Sequence, residues 1–431
     1  MTKNIKHYLV GISLLVLLLA CSFENKDTGG EFEQEKTDGV HFHKETLRRV
    51  GGDLGEAGDN WCVTWAQDDN QITSMDDGSW LDPNGSYHNR LYTISGDNDF
   101  DHNQDVNDIT NYPGFYANVG SGNEPGWYGY GVLSVKNTIY SMVSLTSNTS
   151  FNPFIGVKIL KSPDSGDNWY QIDKLGKQKY MAPNLQDFDT DSGDMFFKQE
   201  FGKEGHGRTS FPFVWTSFVQ NGKAASASPD GYIYIYSPEG SNSSELLLAR
   251  VQEDEFEVRS NWEYFKSWND ITAVWTSDIN ERGVVHKFPD KNQNNNYFGW
   301  YSWLPSVVWN EGLGVYIMVN GGTYAGTGMS QSQSDYYNSW VHVKSGSLGF
   351  WYSETPYGPW EKFYYVEHFT VDDTNNRTYQ PKLSPKWISE DGKRMTLIWS
   401  DAGKNSEGEY YSDYYTWNQM EIEIKNELWN M

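Results

Sequence analysis

Between Trp61 and Ile424 no stretch repeats apolar residues every third or fourth position; short apolar or alternating runs follow one another between clusters of Gly, Asn, Asp, Ser and Pro. A helix buries a face with a period of 3.6 residues and a strand with a period of two, so the pattern predicts an all-β fold. The clearest run is Gly231-Tyr-Ile-Tyr-Ile-Tyr-Ser237, which puts Tyr232, Tyr234 and Tyr236 on one face and Ile233 and Ile235 on the other. A turn-forming Ser-Pro-Glu-Gly-Ser-Asn-Ser-Ser stretch follows, then a second run, Leu246 to Ala249, ending at Arg250. The expectation is a hairpin that sets Tyr234 beside Arg250. Such a pair suits proton transfer next to a guanidinium that grips a carboxylate. It equally suits Tyr packing on a sheet face with a surface Arg. Further strands are predicted at 61–66, 131–135, 138–144, 155–162, 307–309, 315–319, 348–353 and 395–400.

A turn recurs. Ser162-Pro-Asp164-Ser-Gly166-Asp-Asn-Trp169 fits Ser-x-Asp-x-Gly-x-x-Trp and resembles the Asp-box of sialidase-type propellers, in which the carboxylate would cap the turn amides and the Trp would pack between blades. Looser echoes are Ser228-Pro-Asp230-Gly231, Ser353 to Trp360, and Ser389-Glu-Asp391-Gly392. Repeated hairpins argue for a β-propeller of five to seven blades, built as a single domain from residues 47–431.

Residues 1–20 read as a lipoprotein signal peptide. Lys3 and Lys6 precede an apolar run, Leu9 to Leu19, too short to span a bilayer, and Leu-Leu-Ala-Cys21 looks like a lipobox with Cys21 acylated. The polar stretch 21–46 reads as a flexible tether, and Ser22 after the Cys suggests an outer-membrane lipoprotein at the cell surface or periplasmic face, held by its lipid anchor only. Cys62 is the other cysteine, which leaves no internal disulfide.

The formal net charge of −25 disfavours nucleic acid, whose phosphates would be repelled. An anionic polysaccharide or oligosaccharide would need a local basic cluster. The Gly-rich segment Phe201-Gly-Lys-Glu-Gly-His206-Gly-Arg208 offers one, with His206 as a proton carrier and Arg208 as a binding cation. A second cluster, Trp65 to Trp80, brings Asp69 and Asp77 across a probable hairpin as a candidate acid pair, with His88 nearby in sequence. Alternating carboxylates at Asp97, Asp99, Asp101 and Asp105, and at Asp187, Asp189, Asp191 and Asp194, could hold a structural Ca2+, although neither loop completes an EF-hand, and a solvated acidic loop has the same sequence. No cofactor is required by any motif, and zinc, phosphate-loop and serine-elbow motifs do not occur. A monomer is expected.

The succession Asp59-Asn-Trp61, Thr64-Trp65, Asp69, Asp77-Gly78, Phe201-Gly202-Lys203, Asp230 to Ser237, Leu248 to Val251, Val307 to Tyr316 and Gly358-Pro359-Trp360 resembles a family of secreted bacterial propellers that includes endo-D-arabinanases. The Tyr and Arg spacing is also similar to propeller-type ulvan lyases and implies Tyr234 as acid or base, Arg250 on a uronate carboxylate and His206 in proton transfer; those lyases place two His residues before the Tyr, and this chain offers only His206. The resemblance thus implies β-elimination by a lyase or oligosaccharide dehydratase on a sulfated, uronate-containing algal glycan such as ulvan. The alternatives are an arabinanase-like glycoside hydrolase using paired Asp residues, and a non-catalytic surface lipoprotein that binds glycans.

Overall fold

The Tyr-rich run and its partner form the expected hairpin. Tyr232–Pro238 pairs antiparallel with Glu245–Gln252, and Tyr234 stands directly opposite Arg250. The computed structural model describes residues 35–51, 57–82, 85, 87–113, 115–116, 126–146, 154–183, 195–198, 212–239, 245–288, 304–321, 347–367, 369–371, 378–401 and 415–425.

Antiparallel strands in these residues form five blades. In blade 1, Ala57–Asp59 and Val63–Trp65 both pair with Gln71–Ser79, followed by Tyr87–Ile94 and Val106–Asp108. Blade 2 runs outward from Trp127–Val135 through Thr138–Thr146, Phe154–Ser162 and Trp169–Ile172 to Gln178–Met181. Blade 3 starts at Ser217–Gln220 and adds Tyr232–Pro238, Glu245–Gln252, Glu263–Asn269 and Thr272–Thr276. Blade 4 is Ser306–Asn310, Val315–Asn320, Leu348–Ser353 and Glu361–Val366. Blade 5 is Thr378–Ile388, Arg394–Asp401 and Trp417–Ile424, completed by Val40–Phe42 and Arg48–Val50 from the start of the chain.

The innermost strands of blades 1 to 5 touch in cyclic order, blade 5 returning to blade 1, so the fold is a closed five-bladed β-propeller. Polar bonds bridge the ring. Ser134 N donates to Thr64 Oγ1 at 3.0 Å, Gln220 Nε2 to Val132 O at 3.0 Å, Leu383 N to Ser306 Oγ at 3.0 Å and Ser384 Oγ to Gln71 Oε1 at 2.6 Å. The remaining junction, blade 3 to blade 4, is a parallel pairing of Val219 and Gln220 with Val307 and Val308. Five apolar clusters lie further out, one between each pair of neighbouring blades.

Turn chemistry follows the sequence closely. Asp164 Oδ1 accepts from Asn168 N at 2.8 Å, Ser162 Oγ accepts from Gly166 N at 2.8 Å, and buried Trp169 packs edge-on against Tyr112 of blade 1 at 4.8 Å. Asp391 and Asp230 cap their hairpins in the same way, through Lys393 N and Tyr232 N. One boundary differs from the sequence reading. Val40–Phe42 lies within the stretch read as tether, yet it closes blade 5; three residues with a polar His41 between two apolar ones carry too little period to announce a strand. No helix among the described residues is long and apolar enough to cross a membrane.

At the closing junction Trp80 stacks on Trp417 at 5.2 Å, leans on Trp61 at 4.9 Å and donates its indole N–H to Val50 O at 3.1 Å. Trp80→Ala should therefore cost about 3–5 kcal/mol in urea unfolding. Leu175→Ala, at a residue 75% exposed, should change stability by less than about 0.5 kcal/mol.

Candidate functional site

The inner strands share one direction, because the segments that follow them meet at one end of the propeller. Lys136 N, after blade 2's inner strand, donates to Ala224 O, after blade 3's, at 3.2 Å, and Lys386 Nζ in blade 5 donates to Asp69 O in blade 1 at 2.7 Å. This end is the back face; the front face is where the inner strands begin.

Blade 1 builds an acidic site toward the front. Register places Asp59 across from Asp76, and both are almost fully buried. Between Asp59 and Val63 the inner strand is interrupted, with Asn60 in the left-handed region at φ 54°. Its side-chain amide there donates to Asp59 Oδ1 and to Asp76 Oδ2, each at 3.0 Å. The other oxygen of Asp59 accepts from Tyr415 Oη at 2.6 Å, whereas Asp76 Oδ1 is buried with no hydrogen-bond partner among the described residues. Gly58 is needed for close approach, since a Cβ there would lie 2.7 Å from the Met75 side chain.

The pairing of Gln71–Ser79 with Tyr87–Ile94 breaks between Met75 and Gly78, and Asp77 takes φ 50°. Asp77 faces the surface while Asp76 faces in, as successive residues of a strand do. His88 Nδ1 lies 2.6 Å from Asp77 Oδ1, and its ring rests on Tyr128 of blade 2 at 4.1 Å. Asp76, Asp77 and His88 each offer a donor atom within 4.8 Å of the others, a spacing that could hold a metal ion.

Burial raises the carboxyl groups of Asp59 and Asp76 well above the usual carboxylate range, and the charge of Asp77 adds to it. Tyr128 is also pushed up, by burial and then by Asp77, Asp76 and Asp59. Lys382, on the inner strand of blade 5, is buried and pushed down to about 8 by desolvation, partly offset by the influence of Cys62 and Asp59. Two coupled carboxyl groups of this kind can hold one proton between them.

The other residues singled out in the sequence fall elsewhere. Asp69 and Asp77 sit at opposite ends of Gln71–Ser79 and do not form an acid pair. Asp69 instead belongs to the back face, where Lys223 of blade 3 holds it at 3.0 Å and Lys386 of blade 5 at 3.3 Å. Tyr234 and Arg250 are brought together, on the second and third strands of blade 3. The phenol donates to Asp230 Oδ2 at 2.6 Å, and burial first, then Asp230, raises it above the ordinary tyrosine range. Arg250 Nε donates to Glu263 Oε2 at 2.8 Å, with the guanidinium between the rings of Trp275 at 4.0 Å and Tyr232 at 4.3 Å. This hairpin leads into Glu253, which pairs with Lys136 of the back face at 2.6 Å. Asp101 caps the short helix His102–Asp105 through Asn103 N at 2.8 Å, and its own N–H is taken by Asp105; with Asp97 and Asp99 it makes no converging donor set. His206, Arg208 and the acidic loop 187–194 lie outside the described residues. Asp59, Tyr128, Lys382 and Tyr415 carried no assigned role in the sequence reading. The Asp59-Asn60 and Asp76-Asp77-Gly78 strings were visible, but the register that joins them was not.

No family model matches the chain, and no curated protein matches it. Solved structures with similar backbones include a Bacteroides ovatus protein described as a hydrolase (14% identity, TM-score 0.46, 87% of each chain covered). A GH43_1 enzyme from Xanthomonas citri is 8% identical, with TM-score 0.41 over 85% of this chain and 94% of that one. An endo-arabinase from Bacteroides thetaiotaomicron is 12% identical, with TM-score 0.36 over 91% and 98%.

Asp69 works as an exposed ionic tie between blades. Asp69→Asn should lower stability by less than about 1 kcal/mol in denaturant titration. Whatever activity the intact chain shows should be unchanged.

Proposed function

We propose that the chain is a glycoside hydrolase whose working carboxyl groups are Asp59 and Asp76. The observation that carries this reading is that one amide, that of Asn60, holds two buried carboxyl groups at 3.0 Å each. Hydrolysis of a glycosidic bond needs one carboxyl that gives a proton to the leaving oxygen and one that attacks the sugar or takes a proton from water. Asp59 accepts from Tyr415 on one oxygen and from Asn60 on the other, bonds that favour its charged form and fix its orientation, so it is the candidate attacking or base carboxylate. Asp76, whose Oδ1 is buried with no hydrogen-bond partner among the described residues and whose carboxyl is raised by burial, is the candidate proton donor. Because each oxygen is 3.0 Å from the same nitrogen, the nearest oxygens of the pair are no more than about 6 Å apart, short of the ~6.5–9.5 Å gap of inverting sites, so retention of anomeric configuration is expected. Tyr128 and His88 supply flat surfaces beside the pair on which a sugar ring can lie.

The three carboxyl groups here favour a neutral sugar over a polyanionic one. Elimination on a uronate is the second reading, favoured by the direct juxtaposition of Tyr234 and Arg250. Against it stand the phenol's bond to Asp230 and the guanidinium's engagement by Glu263, Tyr232 and Trp275. Acylation at Cys21 would tether either enzyme to a membrane.

Asp59→Asn and Asp76→Asn should each lower kcat by at least about 100-fold on a cleaved glycan, with the protein still folded by circular dichroism. Tyr234→Phe should retain most of kcat. The reverse ranking, with an ultraviolet-absorbing unsaturated product, would establish elimination instead.

A further inference from the structure

Tyr234 and Arg250 belong to a run of aromatic rings on the outer wall of blades 3 and 4. Trp268 and Trp275 stand on the two outermost strands of blade 3, and Tyr357 stands in the turn between Leu348–Ser353 and Glu361–Val366 of blade 4. The centre of the Tyr357 ring lies 5.9 Å from that of Trp275, 6.4 Å from Trp268 and 6.0 Å from Tyr234. Arg250 extends the run to Tyr232, because its guanidinium sits between the Trp275 and Tyr232 rings at 4.0 and 4.3 Å. Plain alternation would put Phe265 and Trp268 on opposite faces; a register shift between Phe265 and Ser267 puts both on the side of blade 4.

Tyr232, Trp268, Trp275 and Tyr357 are half-buried. Their indole N–H and hydroxyl groups have no hydrogen-bond partner among the described residues, and none of these atoms is buried. A ring whose body is packed and whose polar end is wet suits an interface. A sugar matches such a surface, because it has C–H faces to lie on the rings and hydroxyls to meet their polar ends. An acyl chain would strip those ends of water and offer no bond in return. Charge narrows the choice further. Arg250 donates to Glu263 at 2.8 Å and Tyr234 donates to Asp230 at 2.6 Å, so one cation stands among two carboxylates. That leaves no surplus positive charge to hold a polyanion or an anionic membrane surface.

We infer that this wall is an auxiliary glycan-binding site, on which an uncharged oligosaccharide lies against Trp268, Trp275 and Tyr357. The inference rests on the glycoside hydrolase reading for its choice of a sugar, but not on Asp59 or Asp76, which belong to blade 1 across the ring. Its role is to hold a polymer on the protein, and it touches no reacting atom.

Affinity electrophoresis of the intact chain in native gels containing galactomannan, hydroxyethylcellulose or dextran tests the inference, with polygalacturonate as the charged comparison. At least one neutral polymer should retard wild type and Asp76→Asn alike, and the retardation should not change with added salt. Trp275→Leu, which keeps an apolar side chain for the seam between blades, and Trp268→Ala should each weaken binding by about tenfold while circular dichroism stays that of the folded protein. No retardation by any of the neutral polymers would overturn the inference. So would binding that is lost in Asp76→Asn and kept in both Trp variants, which would belong to the carboxyl site. Retardation by polygalacturonate alone, falling with salt, would overturn the choice of an uncharged ligand. Self-association of wild type that Trp275→Leu abolishes would give the wall to a second copy of the chain instead. If a neutral polymer is bound through the Trp residues and none is cleaved, the binding site stands and the hydrolase reading falls.

Discussion

The structure depends on the closure of its five inner strands into a ring. Four of the five junctions are bridged by hydrogen bonds involving Thr64, Gln71, Gln220, Ser306 and Ser384, and the fifth is a parallel backbone pairing. Such a ring has no free inner edge, and each blade buries its faces only because its neighbours are present. The chain's first strands must find its last one, which is why Val40–Phe42 and Arg48–Val50 complete blade 5. With no disulfide among the described residues, where Cys62 is free and buried, closure and the five apolar seams carry the stability.

The same ring positions the chemistry. Asp59 and Lys382 belong to neighbouring inner strands, and a single interruption after Asp59 lets Asn60 reach both acids. Strand alternation then separates two consecutive aspartates, Asp76 facing in and Asp77 facing out. Burial raises the hold of the Asp59 and Asp76 carboxyl groups on a proton well above that of an ordinary aspartate. At the opposite end, Asp69 meets two lysines in solvent, and Tyr234 and Arg250 are each already engaged by neighbours in blade 3.

Local order was largely legible in the sequence. Period-two runs placed the Tyr hairpin and its register, and the Ser-x-Asp-x-Gly pattern placed the capped turns, because both depend on neighbouring residues. The site was less legible, for a physical reason. Asp59 opposite Asp76 and Lys382 behind them depend on pairings across 17 and more than 300 residues, and on two positions in left-handed conformation, Asn60 and Asp77, that no periodicity marks. Asp69 and Asp77 looked like an acid pair because a hairpin joins them; strand length then puts them at its two ends.

Glycan cleavage in water enriched in the heavy oxygen isotope tests the central claim most directly. Hydrolysis at Asp59 and Asp76 predicts one heavy oxygen in each new reducing end, with the first-formed product retaining its anomeric configuration. Fragments without isotope and bearing a carbon–carbon double bond would contradict it.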